Sequence, residues 1–412
     1  MHPKHTMTPT DKFSYHRRDL ARQYCDALEG GAILDATSGL FLAAPRRVGK
    51  STFLRDDLTP EMASRGREIL YVDLWSDRQK DPAELIAGEI GKALAQYDGS
   101  VIKAAKRAGL EKLRVTGALT FDLSKIGKQD GATISAALEQ LHAKGGKPVA
   151  LLIDEAQHAL ATEAGRNMLF ALKAARDQLN QGSAGQRLHL VMTGSNREKL
   201  AELVTGKASA FFGAQVTAFP VLDTAFVQAY SAWLNKQTTR GQHYPVATLE
   251  RAFKLLGHMP ELLKTVVGKA FADLGGAHAL DDLVNHHAQE IQKLMWQEYE
   301  SAWNALTAPQ QVVVAVLART TPAASPFSND ALRAYKQVAA VAFTPSTVQG
   351  ALDALTGKGL LWRAGRGDYA FEDLRFRDWF LHTFPEMQSI PLVPKVRNSA
   401  HSKARAKIRA KK

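Results

Sequence analysis

The sequence predicts an α/β fold in which a doubly wound parallel sheet comes first and helical and mixed segments follow. Short apolar runs alternate with amphipathic helical patterns between residues 39 and 222. The run 148–153 is apolar throughout, which is typical of a central parallel strand covered on both faces. After Pro220 the strand signal nearly disappears and helical periodicity replaces it. The parallel sheet is therefore expected in the first half of the chain.

Composition sets the broad class of protein. The chain has 412 residues, enough for two or three domains, and its 45% apolar and 23% charged residues are ordinary for a globular protein. A single cysteine, Cys25, excludes an internal disulfide framework. The first 18 residues lack the apolar core of a signal peptide, and no apolar run approaches the roughly 20 residues of a membrane span. We therefore expect a cytoplasmic protein without membrane insertion.

The net charge of +12 is unevenly distributed along the chain. Residues 395–412 contain eight Lys or Arg residues and no acidic residue. A tail of this composition is predicted to be disordered, and it can contact phosphates without sequence preference. The remainder of the chain is only mildly basic.

Periodicity and turn residues predict the individual elements. Strands are expected over 39–43, 68–75, 148–153 and 188–192. Helices are expected over 13–30, 50–58, 83–97, 133–144, 163–179 and 197–204. The stretch 98–130 is less regular, with a short strand pair near 113–123.

Five parts are predicted for the whole chain. They are an N-terminal helix and arm (1–30), an α/β domain (31–222), a helical domain (223–295), a second mixed domain (296–385) and the basic tail (386–412). In the mixed domain, helices near 309–319, 329–339 and 346–357 precede two short strands at 359–363 and 368–371. Three helices followed by a β-hairpin describe a winged helix-turn-helix.

The segment after the first strand has the pattern of a phosphate-binding loop. A strand, a loop ending in Gly-Lys-Ser and a helix follow one another, which is the context this motif requires. Backbone N–H groups of such a loop face phosphates, the lysine adds a positive charge, and the Ser51 hydroxyl is a ligand for Mg²⁺. The usual first glycine is Ala44, where a positive φ would be unfavourable. The candidate phosphate-binding residues are Ala44, Pro45, Arg46, Arg47, Val48, Gly49, Lys50, Ser51 and Thr52.

Polar residues also end two later strands. Asp154 and Glu155 follow the buried run 148–153, and Ser195 and Asn196 follow the run 188–192, which we place between the other two strands. Strand ends of a parallel sheet converge on a ligand crevice. Asp154 would hold Mg²⁺, Glu155 would polarise the attacking water, and Ser195 and Asn196 would contact the water and the γ-phosphate. Alternatively, Ser195 and Asn196 cap the helix that follows.

These motifs together resemble the AAA+ ATPases, and among them the archaeal-type ATPase group that adjoins the STAND NTPases. The resemblance covers about residues 13–384, including a helical lid and a winged helix. It implies ATP binding with Mg²⁺, hydrolysis and a conformational output. The string Gly257-His258-Met259-Pro260 is similar to the Gly-x-Pro element that STAND proteins place near adenine, so Pro260 is a candidate nucleotide contact.

Two departures from the family pattern concern arginines. Glu261 occupies the place of a sensor-2 arginine, with Lys264 as a substitute. Residues 211–215, where many relatives carry an arginine finger that acts on a neighbouring subunit, contain no arginine. Lys207, Arg197 or Arg187 are the alternatives. Since such an arginine contributes roughly 10³–10⁵ in rate, its absence favours slow hydrolysis and a switch.

The partners of the second mixed domain are less defined by sequence. Its third helix offers Gln349, Asp353 and Lys358, which is poor in positive charge, whereas the wing offers Arg363 and Arg366. The sequence allows two kinds of partner: DNA, bound through the wing and the basic tail, or a protein. It also allows assembly into a homo-oligomer. His286 and His287 are predicted to be a surface feature of a helix.

Three functional hypotheses remain from the sequence. The first is an ATPase switch that acts on a partner protein or DNA, and the second is an ATPase that assembles on DNA. The third is a signalling or scaffold protein that keeps its nucleotide without appreciable turnover.

Overall fold

The computed structural model describes residues 12–31, 34–97, 133–182, 185–237, 243–273, 279–319, 325–339, 343–365 and 367–385. The chain divides into two compact units, and the boundary between them along the sequence lies between Lys293 and Leu294. The division into five parts remains a prediction. The strand pair expected near 113–123, Arg366 and the basic tail lie outside the described residues.

The first unit is built on a parallel sheet of five strands. They are β1 (Leu40–Ala43), β2 (Glu68–Asp73), β3 (Val149–Asp154), β4 (Leu188–Gly194) and β5 (Val216–Ala218), in the order β2-β3-β4-β1-β5. All four pairings are parallel. The position of β4 between β1 and β3 confirms the prediction from sequence. Strand β5 was not predicted, because it is three residues long, partly exposed and without an apolar run.

Helices cover both faces of this sheet. They are α1 (Arg18–Leu28), α2 (Lys50–Phe53), α3 (Thr59–Ser64), α4 (Pro82–Tyr97), α5 (Ile134–Gly145), α6 (Glu163–Leu179) and α7 (Arg197–Thr205), with a π-helical turn (Leu54–Leu58) joining α2 to α3. Along β3, Val149, Leu151 and Ile153 enter one hydrophobic cluster, whereas Ala150 and Leu152 enter the other. Successive side chains of a strand point to opposite faces, so both faces of β3 are buried, as its apolar sequence predicts.

The N-terminal helix begins later than the sequence predicts. Apolar spacing indicated a start at Phe13, whereas α1 begins at Arg18. The Phe13 ring instead contacts the rings of Phe226, Tyr230 and Trp233, at centroid distances of 5.9, 4.9 and 5.6 Å. Residues 12–17 therefore form an arm held by tertiary aromatic contacts, which local periodicity does not reveal.

Helices follow the sheet in the first unit, as predicted. They are α8 (Thr224–Gln237), α9 (Val246–Leu255), α10 (Pro260–Ala272) and α11 (Leu280–Asn304), the last of which continues past Lys293 into the second unit. The surface prediction for His287 is wrong, since this residue is only 8% exposed. Its ring nitrogens lie 2.8 Å from Asp273 Oδ2 and 3.0 Å from Glu290 Oε2, so it joins α11 to the end of α10.

In the described residues of the second unit, three helices and an antiparallel hairpin follow one another in the order that defines a winged helix-turn-helix, and a further helix comes after them. The elements are α12 (Ala308–Leu317), α13 (Asn329–Val338), α14 (Pro345–Gly357), β6 (Leu361–Gly365), β7 (Asp368–Phe371) and α15 (Leu374–Thr383). None of the helices within the described ranges is long and apolar enough to cross a membrane.

The buried ring of His189 on β4 predicts a pH-dependent stability. Burial, and to a smaller extent the nearby charge of Arg67, lower the pKa of His189 to about 4. Below the unfolded pKa of about 6.5 the unfolded chain takes up a proton that the folded chain excludes. The free energy of unfolding is therefore expected to fall by about 3 kcal/mol in total between about pH 6.5 and pH 4 through this residue. Urea unfolding of wild type and His189→Gln across this range measures the effect; equal pH slopes for the two proteins would contradict it.

Candidate nucleotide-binding site

The loop after β1 has the backbone conformation of a phosphate-binding loop. Gly49 adopts a left-handed conformation at φ 92°, and α2 begins at the next residue. Outside glycine, the described residues with positive φ are Arg47, Glu155 and His258, so Ala44 escapes the conformational cost considered for it. The Ala44 N–H donates to Gly194 O at 3.2 Å, which joins the loop to the end of β4.

Lys50 is directed into the loop. It is 6% exposed, and its Nζ donates to Ala44 O at 2.9 Å and to Pro45 O at 3.3 Å. A buried ammonium group requires such partners. The positive charge is thereby held at the curve of the loop, where the loop N–H groups and the start of α2 also concentrate positive potential.

Asp154 ends β3 and is 1% exposed. Its carboxylate accepts hydrogen bonds from the Tyr71 hydroxyl at 3.1 Å, from the Thr193 hydroxyl and from the Glu155 N–H at 3.1 Å. Hydroxyl groups of the two flanking strands therefore fix the orientation of this carboxylate. Neither Tyr71 nor Thr193 was identified from the sequence, because only the strand register brings them beside Asp154.

Glu155 and Ser195 meet directly. The Glu155 backbone is left-handed at φ 55°, which turns its side chain toward the end of β4. Its Oε2 accepts from Ser195 Oγ at 2.7 Å, from Ser195 N at 3.3 Å and from Gln157 Nε2 at 2.5 Å. Gln157 was not among the predicted site residues, although it lies only two positions after Glu155.

Asn196 acts as a helix cap. Its Oδ1 accepts from Lys199 N at 2.8 Å at the start of α7, which confirms the capping alternative. The amide nitrogen of the same side chain is a separate donor, so contact with a γ-phosphate stays a prediction.

Three carboxylates gather at the ends of β2 and β3. Asp73 is paired with Asp154 in the strand register, and Glu155 follows. Burial raises the pKa of Asp73, and the negative charges of Asp154 and Glu155 raise it further, while the Trp75 N–H opposes this shift. Hard oxygen donors with excess negative charge suit Mg²⁺. Together with the predicted ligand Ser51, the donor set therefore fits this ion.

A basic and aromatic cluster lies beside these acids. Trp75 follows β2, and the guanidinium carbons of Arg46 and Arg78 lie 5.0 and 4.6 Å from the centroid of its ring. The His158 ring is 4.4 Å from the same ring. Burial lowers the pKa of His158, and Arg46, Lys199 and Arg78 lower it further against the opposing charge of Glu155. The imidazole is therefore neutral at pH 7.

A cavity of about 480 Å³ adjoins the loop. Four separate segments line it: the N-terminal arm, the loop with α2 and the π-helical turn, the residues around the start of α8, and the start of α10. Its lining includes Phe13, Tyr15, Val48, Gly49, Thr52, Pro260 and Lys264. Pro260, 208 positions after Thr52 in the sequence, therefore lines the same cavity as the loop. The arm, whose residues from Phe13 onward were predicted to be helical, forms a further part of the cavity wall.

The candidate DNA-binding residues of the second unit are engaged within the chain. Asp353 Oδ1 accepts from Gln349 Nε2 at 2.7 Å and lies 3.4 Å from Arg363 Nη2. Lys358 Nζ donates to Ala305 O at 3.1 Å. Part of the positive charge of the wing is therefore balanced by an acid of α14.

Comparison with known proteins agrees with this architecture. No family model and no curated protein matches the chain. Among solved structures, a Walker-type ATPase of Pyrococcus abyssi matches 88% of this chain and 95% of its own, with 19% identity and a TM-score of 0.51. The ORC2 protein of Aeropyrum pernix in its ADP form matches 92% of this chain and 94% of its own, with 13% identity and a TM-score of 0.52.

These matches establish the fold. The chain has an α/β fold similar to that of these two proteins, with helical and winged-helix parts after its parallel sheet. The resemblance predicted from the sequence motifs is confirmed at this level.

The hydroxyl contact to Asp154 gives a stability prediction. Thr193→Val keeps the shape of the side chain but removes a donor to a buried carboxylate, so the free energy of unfolding should fall by about 1–3 kcal/mol. Thr193→Ser keeps the hydroxyl and is expected to lose less, which makes it the matched control. Thermal and urea unfolding measure both variants. A valine variant as stable as the serine variant would show that this hydrogen bond does not stabilise the fold.

Proposed function

We propose that this protein binds Mg·ATP, hydrolyses it slowly and uses the difference between the ATP and ADP states as a conformational switch. The observation that supports this most directly is the convergence of three strand ends. Lys50 follows β1, Asp154 ends β3 with Glu155 directly after it, and Ser195 follows β4. Glu155 accepts from Ser195, and the hydrogen bond from Ala44 N to Gly194 O joins the loop to the end of β4. A cation, a metal-binding acid and a base then face one crevice.

The phosphates of ATP would occupy the loop at residues 44–52. Lys50 would exchange its carbonyl partners for phosphate oxygens, and the loop N–H groups would bind the remaining oxygens. The adenosine would enter the adjoining cavity beside Pro260. The ADP form of the structurally similar ORC2 protein is consistent with a nucleotide-binding role for this fold.

Mg²⁺ would be held by Ser51 and Asp154. A bound Mg²⁺ neutralises phosphate charge and thereby assists transfer of the γ-phosphoryl group. The chain contributes the orientation of Asp154, which the hydroxyls of Tyr71 and Thr193 fix. These hydrogen bonds orient the buried Asp154 carboxylate before a metal ion binds.

Glu155 is the proposed general base. Ser195 and Gln157 donate to its Oε2 and hold the carboxylate at the end of β4, next to Asn196. The absence of arginine from residues 211–215 argues for slow turnover rather than a fast motor. Arg187, Arg197 and Lys207 remain the candidates for a cation acting on a neighbouring subunit in a homo-oligomer.

The switch would act through the cavity. Because residues of the loop and of α10 line the same cavity, a nucleotide would contact the sheet and the helical part at once. A ligand shifts a conformational equilibrium only by its differential affinity for the two states. The γ-phosphate is the group that differs between ATP and ADP, so contacts to it would decide the state offered to a partner protein or to DNA.

Two substitutions separate binding from hydrolysis. Lys50→Ala should weaken ATP binding by roughly tenfold or more, because charge-assisted contacts to phosphate are lost. Glu155→Gln should keep ATP binding and lose about 10²–10⁴ in turnover, because the amide cannot accept the proton of water. Equilibrium binding of labelled ATP and phosphate release measure the two effects.

The matched control is Glu163→Gln, which neutralises an exposed acid at the start of α6, outside the site. It should leave binding and turnover unchanged. ATP binding by wild type without any hydrolysis, in the presence and absence of DNA, would overturn the ATPase proposal in favour of a nucleotide-bound scaffold.

Contact with nucleic acid is a second candidate function, favoured by the eight cationic residues without an acid at 395–412. Removal of these residues should weaken DNA binding and reduce its salt dependence, since each neutralised phosphate contributes about 0.9 to the slope. Fluorescence anisotropy across a salt series with duplex DNA measures both quantities. Unchanged affinity and slope would exclude the tail as the DNA contact.

A further inference from the structure

Arg46 occupies a position that its role as a loop residue does not explain. Its Nε lies 3.4 Å from Ser195 Oγ, and Ser195 Oγ donates to Glu155 Oε2 at 2.7 Å. The guanidinium is therefore separated from the proposed general base by one serine hydroxyl. It lies at the side of the crevice where the γ-phosphate would meet the attacking water.

The contacts of Arg46 leave its charge uncompensated. Among the described residues no carboxylate lies within ion-pair distance of Arg46, and the side chain is exposed. It rests instead on the Trp75 ring at 5.0 Å. A cation–π contact at an exposed site contributes only about 0.5–1 kcal/mol, so an anion can draw the guanidinium away.

Trp75 is fixed as a support for this arginine. Its backbone N–H donates to Asp73 Oδ1 at 2.8 Å, which sets the turn after β2. The ring is 38% exposed, and Arg78 and His158 contact it as well. Because His158 is neutral at pH 7, it adds no positive charge that would repel Arg46. The cation–π contact with the Trp75 ring thus positions the Arg46 guanidinium near Ser195 at the end of β4.

We propose that Arg46 is a catalytic residue that contacts the γ-phosphate of ATP bound to its own chain. This inference rests on the proposed ATPase function and agrees with slow turnover, since a nucleotide hydrolase with its arginine in cis turns over far more slowly than one completed by an arginine in trans. An arginine supplied by the same chain stabilises charge on the transferring phosphoryl group as one from a neighbour does. In the reaction, the oxygen of water bonds to the γ-phosphorus, the bond to the β-phosphate oxygen breaks, and the water proton passes to Glu155. The products are ADP and inorganic phosphate.

The first test compares ATP with ADP in the Glu155→Gln background, where hydrolysis is blocked. Arg46→Ala should weaken ATP binding by roughly 10- to 100-fold, as expected for lost charge-assisted hydrogen bonds, and change ADP binding less than about twofold. Arg46→Lys should retain part of the preference for ATP. Arg78→Ala is the matched control, since Arg78 contacts the same ring from outside the loop, and it should change neither affinity. Equal losses for ATP and ADP, or the same loss in Arg78→Ala, would overturn the proposal.

The second test distinguishes action within one chain from action between chains. Arg46→Ala should lower kcat by about 10³-fold or more, and KM for ATP should rise with the loss of affinity, because KM approaches the dissociation constant when hydrolysis is slow. A mixture of the Arg46→Ala and Glu155→Gln proteins should remain inactive, because no chain then has both groups. Recovery of phosphate release on mixing would show that the arginine serves a neighbouring subunit and would overturn the proposal.

The third test observes the movement of Arg46 and does not depend on turnover. ATP, but not ADP, should change the fluorescence of Trp75 when the guanidinium leaves its ring, and the change should be lost in Arg46→Ala and in Trp75→Phe. If wild type shows the fluorescence change and the preference for ATP but no hydrolysis, the ATPase proposal fails while the γ-phosphate contact stands. Hydrolysis without either signal leaves the ATPase proposal intact and overturns the role of Arg46.

Discussion

The parallel pairing of β1, β4 and β3 determines where the candidate phosphate-binding, metal-binding and catalytic residues lie. Because these strands run in one direction, their carboxyl ends share an edge of the sheet, and the groups that follow them meet there. The apolar strands are buried on both faces, so a one-residue shift in register would displace Asp154 from Thr193 and expose core residues. Hydrophobic burial thus stabilises the geometry in which the polar groups are placed.

In the described contacts, the carboxylates of Asp154 and Glu155 accept hydrogen bonds from neutral donors rather than from positively charged side chains. Hydroxyls of Tyr71 and Thr193 bind Asp154, while Ser195 and Gln157 bind Glu155. The cations nearby contact carbonyl oxygens or an aromatic ring: Lys50 in the loop and Arg46 on Trp75. Neutral donors thus orient both carboxylates without compensating their charge, as the proposed magnesium site requires.

The sequence predicted what depends on local pattern and missed what depends on tertiary contact. The strand–loop–helix motif, the apolar run of β3 and the acids after it were identified because each is contiguous. The arm with Phe13 was assigned to a helix, since its aromatic partners lie more than 200 residues away. The contact of Gln157 with Glu155 could not be predicted, because it depends on the left-handed backbone at Glu155. The burial of His287 could not be predicted either, because it depends on the packing of the end of α10 against α11.

The composition of the cavity wall has a consequence for folding as well as for binding. The arm, the loop and the start of α10 come from distant parts of the sequence, so a molecule filling this space would act as a cross-link between them. A ligand that binds only the native state raises its stability with concentration. With the proposed nucleotide as that molecule, the resistance of the arm to proteolysis would rise with nucleotide concentration.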